Sequence, residues 1–366
     1  MKSMLKKILP ILTVLVMTLL FTGVRAEQMV SAATLALSAP HAPTACTGDF
    51  ISVSQPLNDL GNHEYIRLNT GPTGYTGGLY PGGSNTRPAT HEAAGRAIAR
   101  QITPRNVSGN PDPSGRIVML SIGMSNTYSE FQGFVSIARA DPDFNPVVAL
   151  VNGAQPSMVA TYWVDPNAPT WTTVDDRLAS GGLSPLQVQV AWVKLTNFNL
   201  SQFPQSIQNL QNDLYAVVRN LKTRYPNIQL AYLSSRTRSY TYWNGLNPEP
   251  GAFETGFAVK WLVEAQIDGA ADLNYDPSRG AVVAPYLSWG PYLWIDGTNP
   301  RSDGMVWTPE DLATDCTHPS GSGINKVAAQ LLAFFKGDTT TRGWFRVTQR
   351  FDSYSDSYLP LLVSGH

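Results

Sequence analysis

An apolar run with a single polar residue, Ser121, begins at Ile117 and ends at Gly123, and a helical pattern of residues follows it. The run lacks the alternation of a half-exposed strand, so it predicts a central strand over residues 116–123 in a sheet covered on both faces. A helix is predicted from about Asn126 to Ala140. Ser125 would then lie at the carboxyl end of the strand, the edge where open α/β sheets bind ligands.

Strand and helix patterns continue to alternate along the chain. The apolar runs predict further strands at residues 146–152, 187–196, 228–233 and 282–287, and the helical patterns lie at residues 88–102, 204–224, 253–267 and 321–335. Such alternation is typical of parallel strands joined by right-handed crossovers. We therefore expect an α/β fold, a three-layer α/β/α sandwich with a central, mainly parallel sheet, in a single domain over residues 46–366.

Two long segments lack a clear period. Residues 47–87 are rich in glycine and proline, which excludes long regular elements and predicts a loop-rich N-terminal extension, either an ordered loop or a lid. Residues 155–184 show no periodicity and are expected to form a surface excursion.

The first 26 residues resemble a secretory signal peptide. Lysines at positions 2, 6 and 7 precede an apolar stretch over residues 8–21, and Val24-Arg25-Ala26 is an acceptable cleavage site. A retained membrane anchor is the alternative, but the stretch is shorter than the roughly 20 residues that span a bilayer, and Pro10 interrupts it. We expect a secreted or periplasmic protein with a flexible tail at residues 27–45 and no membrane span after signal removal.

Composition excludes some classes of partner and cofactor. The chain has 26 basic and 27 acidic residues, a formal net charge of −1, and therefore no basic field for nucleic acid. It has no HExxH motif, no paired cysteine ligands and no cluster of carboxylates with metal-ligand spacing, so no metal is expected. The glycines at residues 71–83 follow no predicted strand, so no nucleotide cofactor is expected either.

The chain has only two cysteines, Cys46 and Cys316. An exported protein meets an oxidising compartment, where such a pair forms a disulfide. Two unrelated buried thiols are the alternative.

A serine hydroxyl is a weak nucleophile at its own pKa and needs a base. His41 falls in the tail, His366 is the last residue, and His91 is expected in a helix turn facing solvent, which leaves His318 and one competitor, His63. Asp315 precedes His318 by three residues on a turn before the last helix, where a carboxylate can orient the imidazole. Alone, this spacing also suits a capping aspartate beside a surface histidine, but both Ser125 and His318 are expected at one edge of the sheet.

Together these motifs resemble the SGNH hydrolases, the GDSL-like esterases and lipases, over roughly residues 116–336. Gly-Met-Ser-Asn at 123–126 is similar to the nucleophile block, and Asp315 to Pro319 is similar to the DxxH block. The resemblance implies the family's flavodoxin-like sandwich, no cofactor, a Ser125-His318-Asp315 triad, and an oxyanion hole formed by Ser125, Gly153 and Asn197.

The chain also departs from the family pattern. Gly-Met-Ser-Asn replaces the common Gly-Asp-Ser and is nearer to the carbohydrate acetylesterase branches, and Leu195 stands where the third block usually has glycine. Ordinary structural roles remain open: a helix N-cap for Ser125, a turn glycine for Gly153, and a strand-end cap for Asn197.

We expect an exported serine esterase that acts on a small-molecule or polysaccharide ester, with acetyl or short acyl groups on a carbohydrate as the preferred substrate. A set of aromatic residues near strand ends could stack on sugar rings or belong to the core: Trp163, Trp171, Tyr240, Trp243, Trp289 and Trp294. The alternatives are a non-catalytic carbohydrate- or surface-binding protein on the same fold, and a metal-dependent hydrolase built on His63. The sequence predicts no oligomeric state.

Overall fold

The computed structural model describes residue 46, residues 51–241, residue 245 and residues 247–347. The predicted signal peptide and the predicted tail at residues 27–45 lie outside the described residues, as do His41, Trp243 and His366.

The N-terminal extension contains a short helix and a two-stranded antiparallel hairpin: α1 Leu57–Leu60, β1 Glu64–Arg67 and β2 Gly71–Thr76. Tyr65 in β1 is fully buried, and its hydroxyl donates to Glu254 at 3.0 Å, which also pairs with Arg67 at 2.6 Å. The buried Lys260 ammonium donates to the carbonyl of Gly77 at 2.7 Å. These contacts join the described part of the extension to the segment that contains Glu254 and Lys260.

The central sheet has five parallel strands in the order β4-β3-β5-β6-β7, which confirms the predicted parallel sheet: β3 Ile117–Gly123, β4 Val148–Asn152, β5 Val188–Lys194, β6 Leu230–Leu233 and β7 Tyr286–Trp289. Every residue of β3 is buried, as the lack of alternation in the apolar run predicts. The strand therefore lies inside the sheet with both faces covered.

Helices cover both faces of the sheet, which confirms the three-layer α/β/α architecture: α2 Ala89–Ala99, α3 Ser125–Ala140, α4 Pro169–Ser180, α5 Gln205–Arg224, α6 Gly251–Ile267, α7 Gly321–Gly337 and α8 Arg342–Phe345. Val118, Leu120 and Ile122 of β3 pack with α4, α5 and α6. Ile117 and Met119 point to the other face, where α2, α3 and α7 pack. No helix in the described part of the chain is long and apolar enough to cross a bilayer.

The segment at residues 155–184 differs from the prediction because it contains the twelve-residue helix α4. Trp171, Val174 and Leu178 of this helix are fully buried. They are spaced by three and four residues, so a helical stripe was present in the sequence, but it is only three residues long. Pro169 occupies the first turn, where proline suits a helix start.

The last strand also differs, since β7 begins at Tyr286 and not at residue 282. The amides of Val283 and Ala284 both donate to the carbonyl of Asn274, at 2.9 and 3.2 Å, and not to β6. The chain joins the sheet only where Tyr286 pairs with Leu230.

Candidate active site

Ser125 lies where strand β3 passes into helix α3. It is the first residue of the helix, and Met124, in an extended conformation, occupies the N-cap position without a side-chain cap. Ser125 is therefore not the N-cap serine of the structural alternative. Its amide belongs to the first helical turn, whose N–H groups lack intrahelical partners and favour negative charge.

The side chains of Ser125, His318 and Asp315 form a continuous chain of contacts. The Ser125 hydroxyl lies 2.7 Å from Nε2 of His318, and Nδ1 of the same ring pairs with Oδ2 of Asp315. The side chains of His318 and Asp315 are 37% and 41% exposed, so a solute can reach them. This geometry allows the imidazole to take a proton from the hydroxyl while the carboxylate holds the ring.

Asp315 is held as a carboxylate by the loop around it. Its Oδ1 accepts hydrogen bonds from the amides of His318 at 2.9 Å and Thr317 at 3.1 Å. Burial by itself would raise the pKa of Asp315, but the hydrogen bonds from the His318 ring and from these two amides outweigh burial and lower that pKa below its usual value.

His318 and Asp315 lie in one loop, residues 313–318, which we call the histidine loop. Hydrogen bonds within the loop and from neighbouring segments hold its conformation. The amide of Ala313 donates to the carbonyl of His318 at 2.7 Å. The amide of Tyr240 donates to the carbonyl of Cys316 at 2.8 Å, and the side-chain amide of Asn126, next to Ser125, donates to the carbonyl of Thr317 at 2.9 Å. Asn126 thus connects the serine helix directly to the histidine loop.

A disulfide joins Cys46 to Cys316, with 5.3 Å between the Cα atoms. Cys316 lies between Asp315 and His318 and has a positive φ of 60°, a conformation that few non-glycine residues adopt. The bond links the histidine loop to a residue 270 positions earlier in the chain.

Gly153 follows strand β4, next to the strand that leads to Ser125. A Cβ atom at this position would lie 2.5 Å from the carbonyl oxygen of Ser121 and 3.2 Å from a methyl group of Val174. Close packing therefore requires glycine here, whatever role its amide has.

Asn197 follows strand β5, but its side chain is held by other groups. Its amide nitrogen donates to Oδ2 of Asp213 on helix α5 at 2.5 Å, and its amide oxygen accepts from the backbone of Thr161 at 3.1 Å. No hydrogen bond of Asn197 with Ser125 or His318 occurs in the described part of the chain. The structure brings Ser125, His318 and Asp315 together and leaves this amide in contact with α5.

The two remaining described histidines have different surroundings. His63 is exposed beside the hairpin β1–β2. His91 was expected to face solvent, and this expectation is wrong: the residue is only 4% exposed, and its ring stacks on Tyr286 with 4.2 Å between centroids. Its Nε2 lies 2.8 Å from the carbonyl oxygen of Leu287, so His91 is a packed core residue.

The aromatic residues considered for a stacking platform are mostly core residues. Trp163, Trp171, Trp289 and Trp294 are all fully or almost fully buried, while Tyr240 is half-buried. Four of the six rings are therefore unavailable to a sugar, and among the described residues only Tyr240 remains as a candidate of this set.

Buried charges behind the serine were missed by the sequence reasoning. Lys194, the last residue of β5, donates to both carboxylate oxygens of Glu130 on α3 at 2.6 Å each, and both residues are buried. Burial raises the pKa of Glu130 and lowers that of Lys194, and each partner opposes this effect; His318 is among the groups that lower the pKa of Glu130. A single lysine at the end of an apolar strand was the available signal.

The segment after β6 was also missed. Residues 234–239, Ser-Ser-Arg-Thr-Arg-Ser, are all buried although each is polar. Ser239 contacts Thr317 of the histidine loop, with 2.9 Å between the hydroxyl oxygens. A polar run directly after a predicted strand, at the same edge as Ser125, was the sequence signal for it.

Among the described residues, no group of three or more His, Cys, Asp or Glu side chains is placed to hold a metal ion.

No family model and no curated protein matches this chain. Several solved structures are similar to parts of this chain, and two of them are described here. A protein from Slackia heliotrinireducens provisionally described as an SGNH hydrolase is 14% identical, with a TM-score of 0.33 over 60% of this chain and 99% of that one. The periplasmic domain of a lipopolysaccharide acetyltransferase from Salmonella ser. Paratyphi A is 10% identical, with a TM-score of 0.32 over 66% of this chain and 94% of that one. Similarity at this level does not assign a family or an activity to this chain.

Proposed function

We propose that this protein is a serine hydrolase of the SGNH type that cleaves carboxylic esters. One observation carries the proposal: the Ser125 hydroxyl, the His318 ring and the Asp315 carboxylate form an accessible hydrogen-bonded chain at the carboxyl edge of a parallel sheet. A surface histidine beside a capping aspartate would not require a serine hydroxyl at 2.7 Å from its free nitrogen.

In the proposed reaction, the Ser125 oxygen attacks the ester carbonyl while Nε2 of His318 takes the hydroxyl proton. The tetrahedral intermediate collapses, the ester C–O bond breaks, and His318 returns the proton to the departing alcohol. Water then attacks the acyl-serine with the same help and releases the acid. Asp315 holds the ring with Nδ1 protonated and stabilises the imidazolium.

The developing oxyanion would be stabilised by the amides of Ser125 and Gly153. The Ser125 amide is in the first turn of α3, where the helix dipole also favours negative charge. Nδ2 of Asn197 donates one of its two N–H bonds to Asp213, and the amide oxygen accepts from Thr161, so we assign this side chain to holding the chain after β5 against α5.

The proposed substrate class rests on a sequence motif. Gly-Met-Ser-Asn at residues 123–126 resembles the carbohydrate acetylesterase branches, so an acetyl or short acyl ester of a carbohydrate is the proposed substrate. We also propose export to the periplasm or the exterior, because the first 26 residues resemble a signal peptide and a disulfide is typical of oxidising compartments.

Hydrolysis of p-nitrophenyl acetate by the purified, oxidised protein tests the proposal. We expect Ser125→Ala and His318→Ala each to lower kcat/KM by about a thousandfold or more. His63→Ala is the matched control, because it removes the exposed histidine that competes for the role of base, and its activity should stay at the wild-type level.

The alternatives make different predictions. A non-catalytic binding protein on this fold shows no serine-dependent turnover of any short ester. A metal-dependent hydrolase built on His63 loses activity with a chelator and in His63→Ala, while Ser125→Ala keeps it. Either result would overturn the serine mechanism.

A further inference from the structure

The histidine loop is bonded within itself. The amide of Ala313 donates to the carbonyl of His318 at 2.7 Å, and Oδ1 of Asp315 accepts from the amides of Thr317 and His318 at 3.1 and 2.9 Å. Because these bonds lie inside the loop, they fix the His318 ring relative to Asp315 but not relative to Ser125. The distance between Ser125 and His318 therefore depends on contacts that the loop makes with other segments.

Thr317, the residue before His318, is bonded to two other segments and is 2% exposed. Its carbonyl oxygen accepts from Nδ2 of Asn126 at 2.9 Å, and its hydroxyl oxygen lies 2.9 Å from that of Ser239. Asn126 directly follows Ser125 in the first turn of α3. The bond between Asn126 and Thr317 thus joins the residue next to the serine to the residue next to the histidine.

Stability alone does not account for an asparagine at position 126. The residue is 2% exposed, and its Oδ1 is buried without a hydrogen-bond partner among the described residues. A buried polar atom without a partner costs about as much stability as one neutral hydrogen bond contributes, or more. The bond to Thr317 is therefore offset in the free energy of unfolding, and what it provides is the position of the histidine loop.

Helix α3 is itself held against the sheet. The hydroxyl of Thr127 donates to the carbonyl of Lys194 at 2.7 Å, and the Lys194 ammonium donates to both oxygens of Glu130 at 2.6 Å each. These bonds fix the first turns of α3 to the end of β5. The amide of Asn126 is consequently presented to the histidine loop from a fixed position.

We propose that Asn126 is a positioning residue: by holding the Thr317 carbonyl, it keeps Nε2 of His318 within hydrogen-bond distance of the Ser125 hydroxyl. The inference rests on the proposed function, because it concerns the same triad. The His318 side chain is 37% exposed, so packing alone does not hold it. Without the bond the loop can move away from α3, and a misplacement of about 1 Å costs about a hundredfold in rate.

Kinetics with p-nitrophenyl acetate measure this role. We expect Asn126→Ala to lower kcat by about tenfold to a hundredfold and to change KM by less than about threefold, because the bond acts on the reacting groups and not on substrate binding. Asn126→Leu, whose side chain is close in size to asparagine but has no N–H donor, should behave in the same way.

Asn220→Ala is the matched control. Asn220 is also a buried helical asparagine, and its Nδ2 donates to the carbonyl oxygens of Trp163 and Val164 at 3.0 and 2.8 Å. It lies on α5, on the face of the sheet opposite to α3 and α7. Urea unfolding should report a loss of stability in Asn220→Ala, while kcat and KM stay at the wild-type values.

Two kinetic results would overturn the role of Asn126. One is a kcat of Asn126→Ala within about threefold of the wild type, and the other is an equal fall of kcat in Asn220→Ala. If Asn126→Ala does not fold, as judged by circular dichroism, Asn126→Leu is decided by the same criteria. If neither variant folds, Asn126 is a structural residue and the proposal is wrong.

Failure of the proposed function is recognised separately. If the wild type shows no Ser125-dependent turnover, that function is wrong, and positioning is then tested by proton NMR. Ser125→Ala should shift the Hε1 signal of His318 in the wild-type background, because the hydroxyl lies 2.7 Å from Nε2, and should shift it less in the Asn126→Ala background. Equal shifts in the two backgrounds would show that Asn126 does not position the ring.

Discussion

Protonation of the buried His91 should make the folded protein less stable in mild acid. Burial lowers the pKa of His91 from 6.5 to about 4; the hydrogen bond to Leu287 partly opposes this, and the charge of Arg87 adds to it. The unfolded chain therefore binds this proton more readily than the folded chain between these two pH values. The contribution of His91 to stability is complete above about pH 6.5 and is lost as the pH falls toward 4.

The size of the effect follows from the two pKa values. A pKa lowered from 6.5 to about 4 corresponds to about 3 kcal/mol in total. Linkage gives a loss of about 1 kcal/mol at about pH 5.5 and of about 2 to 3 kcal/mol at about pH 4.5, relative to neutral pH. Carboxylates also titrate in this range, so the wild type must be compared with a variant that lacks only the histidine proton.

His91→Gln is the suitable variant, because a glutamine amide can still donate to the carbonyl of Leu287 but binds no proton. Urea unfolding monitored by circular dichroism at about pH 7.5, 5.5 and 4.5 gives the free energy of unfolding of both proteins. The free energy of unfolding of the wild type, relative to that of the variant, should fall by about 2 to 3 kcal/mol from the highest to the lowest pH. If the free energies of unfolding of the two proteins change equally with pH, the buried, neutral state of His91 is refuted.

Three further predictions concern the site. Asp315→Asn should lower kcat by about a thousandfold to ten-thousandfold, because an asparagine no longer stabilises the imidazolium; a loss below about tenfold, in steady-state assays, would argue against its proposed role. Asn197→Ala should change kcat by less than about fivefold, whereas loss of an oxyanion donor costs about a hundredfold or more; a hundredfold loss would restore this residue to the oxyanion hole. Reductant should add two hydrogens to the intact mass and lower activity before circular dichroism reports unfolding, because the Cys46–Cys316 bond closes the histidine loop; an unchanged mass, or activity lost only with the fold, would contradict this.

Hydrophobic pattern determined most of the architecture. The apolar run at residues 116–123 contains no alternation, and β3 is accordingly buried at every residue. The long amphipathic pattern at residues 204–224 became helix α5, Gln205–Arg224. These predictions succeed because burial on one or two faces of a regular element repeats along the chain and is visible locally.

Short elements were harder to predict. Helix α4 buries only Trp171, Val174 and Leu178, and three residues in a segment rich in proline and glycine do not stand out from a loop. The start of β7 depends on the carbonyl of Asn274. It accepts hydrogen bonds from the amides of Val283 and Ala284, which the apolar pattern had assigned to the sheet.

The sequence by itself selected Ser125, His318 and Asp315. Asp315 and His318 lie in one four-residue turn, and Ser125 follows the apolar strand. Only the tertiary structure decided which polar side chains near them are already bonded. The amide of Asn197 pairs with Asp213, the ring of His91 stacks in the core, and the buried Lys194 pairs with Glu130. These outcomes depend on contacts between residues far apart in the chain. The local periodicity of apolar residues does not indicate which hydrogen-bond donor pairs with which acceptor.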